Sequence, residues 1–303
     1  MSNPQVPSVV LRSRDAASHG LTRHELGRPW WEAPTRGVRV PAGSIDGIAA
    51  RCRAALEILP SAAAFSHVTA LRLLGIEVPW RLDRSSAEAG GGPGERLHVV
   101  VPRTDLRPQR DDLVAHTCTQ PALAVTMWHG IPVTTPAQTW LHLSHGLSVN
   151  ELVVLGDAMT RRKDPATSVV EMRRLLGSSH RMRGLAASRV AIEHVVGGTD
   201  SSMESRTRMI LVDAGLPCPE VNVPALDRAG SFLALPDMSY PALRIAIEYD
   251  GDVHRTDPGT WRRDVERRQR LEEAGWLIIT VTADDVMRHP ERFIRRVRAA
   301  LAR

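Results

Sequence analysis

The chain has 303 residues and a mass of 33.3 kDa, with 43% hydrophobic and 24% charged residues; this fits two or three folded domains and excludes a wholly disordered chain. Arginines and prolines interrupt every apolar run before the ~18 residues of a membrane span, the first apolar stretch is too short for a secretory signal, and Cys52, Cys118 and Cys218 are too scattered for a disulfide framework or a thiolate cage. The expectation is a cytoplasmic protein without membrane contact. A net charge of +5 and a pI near 9.8 are compatible with a nucleic-acid partner. Lys163 is the only lysine among 39 Lys and Arg residues, so any lysine chemistry is confined to that position.

In chain order, residues 1–42 are short, polar and basic. Ser13 can cap a turn that stops at Gly20, and Thr22 with Glu25 reads as a T-x-x-E capping box. Trp30-Trp31 and the alternating Arg36-Gly37-Val38-Arg39-Val40 follow. Helix, turn, helix and basic wing is the order of a winged helix-turn-helix, with Arg23 and Arg36 as candidate DNA contacts. A small structural cap would look the same, and Pro29 leaves little length for a recognition helix.

Residues 43–165 read as an α/β middle domain interrupted by the glycine- and serine-rich stretch Arg84–Glu95. Ser66 precedes a helix ended by Gly75; Leu97–Val101 is a buried strand with Leu113–His116 as a candidate partner. Thr135-Pro136 and the Ser148/Glu151 box open two further helices. His67, His98, His116, His129, His142 and His145 fall here without an ordered ligand spacing, and read as ordinary core or surface histidines. Residues 166–198 form a helical connector ending in Gly197-Gly198.

Residues 199–303 read as an α/β unit. A helix begins at Asp200-Ser201 with Met203, Ile210, Leu211 and Ala214 inward. A short strand lies near Val221–Val223, and Phe232–Asp237 and Leu243–Asp250 read as an antiparallel hairpin turning near residue 242. Trp261–Ala274 is a charged helix, and Trp276–Val281 a near-continuous apolar strand, expected to be buried on both faces and suited to a parallel partner reached through that helix. Pro290 opens the last helix, with Phe293, Ile294, Val297 and Leu301 inward.

The carboxylates of this unit converge. Strand alternation puts Glu248 and Asp250 on one face, and the turn sets Asp237 across from Glu248, where opposed Cβ atoms stand ~4.5–5.5 Å apart. Acids that close repel unless a cation separates them, and oxygen-only ligands suit Mg²⁺ or Mn²⁺. Glu204 on the preceding helix can add an oxygen. Each has a structural alternative: Asp237 as a turn residue, Asp250-Gly251 as a tight-turn dipeptide, Glu204 as the end of a capping box, His254 as a loop residue. Glu248, following a buried strand pattern, has the weakest alternative.

The ordered segments SSMESRTRMILVDAGL, LPDMSYPALRIAIEYDGDVHR and WRRDVERRQRLEEAGWLIITVTADDV resemble the PD-(D/E)XK nuclease superfamily, in the branch related to very-short-patch-repair endonucleases, over roughly the last third of the chain. Through LTRHEL, RGVRV, SHVTALRLLGI and GIPVTTPAQTWLHL, residues 1–165 are similar, more loosely, to AbiEi-type antitoxin and regulator proteins. The resemblance implies a C-terminal restriction-endonuclease-like domain with a central mixed sheet flanked by helices, within a mixed α+β chain. It implies Mg²⁺ or Mn²⁺ on Asp237, Glu248 and the carbonyl of Tyr249, assisted by Glu204, with DNA hydrolysed to 5′-phosphate and 3′-hydroxyl ends. Arg262, Arg263, Arg267 and Arg268 would grip phosphates, unless they form a solvated face paired with Asp264, Glu266, Glu272 and Glu273. The superfamily's motif lysine falls at Asp250. Its task would pass to a third metal-bound carboxylate, His254, Gln269 or an arginine, and an arginine cannot serve as a base. The alternative is a non-catalytic transcriptional regulator, or an antitoxin with a cognate toxin as partner.

Overall fold

The computed structural model describes residues 10–83, 96–121, 123–251 and 258–303, with side chains in the last segment from residue 265 onward. The Arg84–Glu95 stretch, His254 and the side chains of Arg262 and Arg263 lie outside the described residues. The chain divides into two compact units, Met1–Gly146 with Arg174–Ala186, and Leu147–Arg173 with Ala187–Arg303. None of the described helices is long and apolar enough to cross a membrane.

The first unit begins with a small antiparallel sheet of β1 (Leu11–Arg12), β2 (Trp31–Glu32) and β3 (Val38–Pro41), in the order β1-β3-β2. The two expected helices before the wing are 3-10 turns, Ser13–His19 and Glu25–Gly27. Gly20 stops the first in a left-handed conformation, φ 71°. The capping box does form, with Thr22 N–H donating to Glu25 Oε2 at 2.6 Å and Glu25 N–H to Thr22 Oγ1 at 3.2 Å. Gly27 and Pro29 then allow no second turn, so the stretch carries no α-helix of recognition length.

Next come α1 (Gly47–Leu56), β4 (Ala64–Phe65), α2 (His67–Leu73), β5 (Leu97–Val101), β6 (Leu113–Thr117), β7 (Val125–Trp128), β8 (Ile131–Thr134) and α3 (Pro136–Leu143). The five strands form a mixed sheet in the order β6-β5-β4-β8-β7, with β5 and β6 parallel. Its core is built from Phe65, Leu73, Val99, Ile131 and Val133. Thr135 accepts a hydrogen bond from Gln138 N–H and caps α3 ahead of Pro136, as the sequence implies.

The second unit holds α4 (Val149–Met159), opened by the Ser148/Glu151 capping box. The helices α5 (Val169–Ser178) and α6 (Leu185–Ala191) span the points where the chain passes between units. There follow α7 (Ser202–Asp213), β9 (Glu220–Val221), β10 (Ala225–Leu226), β11 (Phe232–Ala234), β12 (Met238–Tyr240), β13 (Ile245–Asp250), α8 (Pro258–Glu273), β14 (Leu277–Thr282), α9 (Ala283–Met287) and α10 (Pro290–Leu301). The main sheet has the order β14-β13-β12-β9. As the sequence leads one to expect, β13 and β14 are parallel and joined through α8. β14 is an edge strand, however, and only Ile279 and Val281 of it are fully buried. Leu211, Met238, Ile247, Val281, Phe293 and Val297 form the core between the sheet and α7 and α10.

Two expectations need correction. The Phe232–Asp237 run does not form one strand of the hairpin. β11 pairs with β10 in a separate two-stranded sheet, and the hairpin partner of β13 is β12 alone. Pro236 lies between them and has no N–H to give a ladder. On α7 the inward face is not only apolar: Leu211 is buried, but so are Glu204, Ser205, Thr207 and Arg208. The Arg208 guanidinium is accommodated by an ion pair to Asp157 of α4 at 2.6 Å, both side chains being almost wholly buried.

Candidate functional site

The hairpin register is Met238↔Ile247, Ser239↔Ala246 and Tyr240↔Ile245. Continued by one residue, it brings Asp237 opposite Glu248. The backbone locks this arrangement, because Tyr249 N–H donates to Asp237 Oδ2 at 2.8 Å and Asn222 N–H to Asp237 O at 3.1 Å. Asp250 stands two residues beyond Glu248 at the end of β13, half-buried.

Glu204 approaches from the first turn of α7 and is 6% exposed. Half of a capping box is present: Glu204 N–H donates to Ser201 Oγ at 3.2 Å and Ser201 Oγ to Oε1 at 2.9 Å, while the backbone N–H on Oε2, at 3.0 Å, is that of Asp200, one residue before the N-cap. Capping does not exhaust its character. Burial pushes its carboxyl up to about 7, against the hydrogen bond from Asp200 N–H and with a further upward contribution from the charge of Asp237. Asp237 is likewise raised by burial, with the Tyr249 N–H and the Arg267 charge pulling the other way. Two carboxylates that feel each other in a poorly solvated place favour a shared cation or a shared proton.

Arg267, on the half-buried face of α8, reaches back to this group. Its Nη2 donates to Glu248 Oε2 at 3.1 Å, and its Nη1 lies 3.1 Å from Oε1. Arg267, expected among the phosphate-gripping arginines, places its guanidinium beside Glu248 instead. Its neighbour Arg268 instead donates from Nη2 to Thr280 Oγ1 at 2.5 Å, and Gln269 is exposed. The i, i+1 step on a helix turns consecutive side chains by about 100°, which accounts for the split.

Asp237 and Glu248 offer oxygen donors only, with Tyr249 directly after Glu248 in sequence. That donor set fits a hard divalent cation rather than a thiolate- or imidazole-seeking one.

In the first unit, Arg23 and Arg36 are exposed and line a concavity of about 1180 Å³ with Arg12, Arg14, Arg39 and Arg110. The pairing of β1 with β3 unites Arg12, Arg14 and Arg39, and Arg110 joins them by donating to Arg36 O. The pairing Leu11↔Arg39 and Arg12↔Val38 joins the LRSR and RGVR segments. Glu57 enters the same concavity and pairs with Arg12 at 3.2 Å.

Residues 233–301 match the REase_MTES_1575 family, a restriction-endonuclease-like family. The C-terminal domain is therefore restriction-endonuclease-like within a mixed α+β chain. Two proteins of Mycobacterium tuberculosis, "Uncharacterized protein MT2308" of strain CDC 1551 / Oshkosh and "Uncharacterized protein Rv2248" of strain H37Rv, are each 29% identical over 207 residues, covering 68% of this chain and 74% of each relative. No solved structure matches the chain.

Proposed function

We propose that the C-terminal domain hydrolyses DNA phosphodiester bonds with Mg²⁺ or Mn²⁺. The observation that carries this reading is the pairing of β12 with β13, which brings Asp237 opposite Glu248, inside the segment that matches a restriction-endonuclease-like family. Asp237, Glu248 and the Tyr249 carbonyl would hold the cation. A divalent ion there supplies charge to a phosphate oxygen and lowers the pKa of the attacking water.

The protein groups have separate tasks. Glu204, poised near neutrality by burial and by Asp237, accepts or returns a proton at its carboxylate. Arg267 takes the electrostatic share of the missing motif lysine, stabilising negative charge without accepting a proton. Asp250 orients water or a second cation, and His254 is the remaining candidate for proton transfer. The arginine-lined concavity of the first unit, with Arg23 and Arg36, and the α8 residues Arg262, Arg263 and Arg268 bind phosphates of the same substrate class.

The test is cleavage of duplex, nicked and single-stranded DNA with Mg²⁺ or Mn²⁺. Wild-type protein cuts at least one of these, and Glu248→Ala and Asp237→Ala do not. Equal behaviour of wild type and Glu248→Ala on every substrate would overturn the reading.

A second reading, a non-cutting DNA-binding regulator or AbiEi-type antitoxin, is favoured by one specific contact. Arg267 engages both oxygens of Glu248, and Asp250 stands where the lysine would be. A promoter footprint retained by Asp237→Ala and Glu248→Ala, with no calorimetric binding of Mg²⁺ or Mn²⁺, would select it.

A further inference from the structure

The middle of the chain holds a second group of titratable side chains, remote in character from the acids. Spacing in the sequence gives the six histidines between residues 67 and 145 no ordered ligand set. The fold of the first unit gathers five of them and leaves out His129, which sits in the β7–β8 turn against Trp128.

The gathering follows from topology. β5 and β6 are parallel with His98↔Val114 and Val100↔His116 in register. His98 and His116 therefore lie on one face of the sheet, two positions apart. β4 delivers His67 to the first position of α2, and Ser66 N–H donates to His98 O at 3.0 Å, pinning the start of that helix to β5. α3 brings His142, and His145 follows just past its end.

The resulting contacts are close. His98 Nδ1 and His116 Nε2 are 3.1 Å apart. The His67 and His116 rings stack at 3.7 Å, and His67 lies 5.2 Å from His142 and 6.1 Å from His145 between ring centroids. One ring nitrogen from each of His67, His98 and His116 falls within 4.8 Å of the others. For comparison, a tetrahedral zinc with Zn–N bonds of ~2.0–2.1 Å spaces its nitrogens about 3.3 Å apart. His67 is 6% exposed and holds φ +53°, a backbone region that a non-glycine residue occupies only when its surroundings impose it.

The remaining hydrogen bonds orient the rings. Ser66 Oγ meets His67 Nδ1 at 3.0 Å, leaving Nε2 of that ring for another partner. His145 Nδ1 donates to His142 O at 2.9 Å, so that its Nε2 is the nitrogen left for another partner. Gln138 Oε1 accepts from Ala124 N–H, so its amide donates to His142 Nε2 at 2.9 Å and the His142 proton resides on Nδ1. That Nδ1 is buried and has no hydrogen-bond partner among the described residues, although His142 is only 7% exposed. A buried donor left without a protein acceptor is costly, and its natural complement is an acceptor that is not protein.

We infer that His67, His98 and His116 form a binding site for one divalent transition-metal ion of the zinc type, with an open position beside His142 and His145. The hydrogen-bonded proton between His98 and His116 moves to the far nitrogen of its own ring, and the two facing nitrogens then present lone pairs to the same ion. Among the described residues no carboxylate belongs to the set, and arginines stand near it, Arg96 and Arg72 acting on His98 and Arg107 on His116. The open position accordingly takes hydroxide or another small anion, which the buried His142 N–H can meet. Three imidazoles with one exchangeable position suit Zn²⁺, Co²⁺ or Ni²⁺ and exclude Mg²⁺, the ion class of the acid site. Ser66 and Gln138 serve as the outer partners that fix ring orientation.

The experiment uses the full-length protein, stripped with chelator and held in excess Mg²⁺ to occupy the carboxylates. Titration with Zn²⁺ in a calorimeter is expected to show one site per chain. Co²⁺ is expected to give the intense visible d–d absorption of a low-coordinate, nitrogen-ligated ion. His98→Ala and His116→Ala, on strands whose backbone pairing does not need the imidazoles, each weaken Zn²⁺ binding by at least about a hundredfold. His129→Ala and Glu248→Ala leave it unchanged. No Zn²⁺ site in the wild type, a weak octahedral Co²⁺ spectrum, or binding insensitive to His98→Ala and His116→Ala would each overturn the proposal. The wild-type spectrum needs no variant to fold, and Glu248→Ala keeps this outcome distinct from failure of the nuclease reading.

Discussion

Arg267 is the residue on which the acid site turns, because it stands in two competitions at once. Its guanidinium pairs with Glu248 and pulls the Asp237 carboxyl downward. Replacing it with glutamine removes a positive charge from the proposed cation site. Arg267→Gln is expected to bind Mn²⁺ more tightly in calorimetry while cleaving DNA more slowly, by on the order of 10²-fold, the usual scale for losing one charge-stabilising donor. Asp112 offers a simpler residue-scale test. It accepts hydrogen bonds from Thr35 Oγ1 and Arg36 N–H and is paired with Arg110 at 2.8 Å. The Arg110 and Thr35 hydrogen bonds and that of Arg36 N–H outweigh burial and hold its carboxyl well below the ordinary range. A depressed folded-state pKa contributes stability that is complete above the unfolded value, near 3.9, and drains away as pH falls below it. Asp112→Asn should therefore lower the melting temperature at pH 7, and the gap from wild type should close in melts run toward pH 2. With Asp112 partly exposed, the loss is about 1 kcal/mol rather than the full value of a buried pair. Asp237 and Glu248 were legible in the sequence because strand alternation and one turn suffice to oppose them. Arg267 was not, since nothing in a charged helix says which of its arginines turns inward.

At the level of elements, α4 and α7 are joined by the Asp157–Arg208 pair, closed to solvent on both sides. Asp157 also accepts from Val196 N–H at 2.8 Å, so its carboxylate anchors the loop before α7 as well. Removing one partner leaves the other charge buried. Asp157→Ala is expected to cost about 3–5 kcal/mol in chemical denaturation, whereas the double change Asp157→Leu with Arg208→Met recovers much of that loss. The elements themselves were readable where local chemistry dominates: Ser148 and Glu151, Thr135 and Pro136, and the apolar β14 after a charged crossover helix. They were misread where long-range partners decide. The break at Pro236 depends on β10 being available to pair with β11. The buried arginine of α7 looks like surface until Asp157, fifty-one positions earlier, is brought against it. The histidines gave no spacing signal because β5, β6, α2 and α3 supply them from separate stretches, and only the parallel register of β5 and β6 aligns them.

For the molecule as a whole, arginine supplies nearly all the positive charge, and six arginines line one concavity of the first unit. If that surface meets phosphates, log Kd for duplex DNA should vary linearly with log salt. The double change Arg23→Ala and Arg36→Ala should flatten the slope by about 2, at ~0.9 per lost phosphate contact. Fluorescence anisotropy across a salt series measures it. The path of the chain has a further consequence. After Gly146 it enters the second unit, returns to the first for Arg174–Ala186, and then leaves for good. The family match begins only at residue 233, yet the helix bearing Asp157 belongs to the same unit as Arg208. Cutting the gene at residue 199 would thus remove α4 and open the face of α7 that carries Arg208 to water, without its carboxylate partner. A piece begun at Leu147 should be recovered soluble where one begun at residue 199 aggregates, because the family match and the compact unit do not share a border.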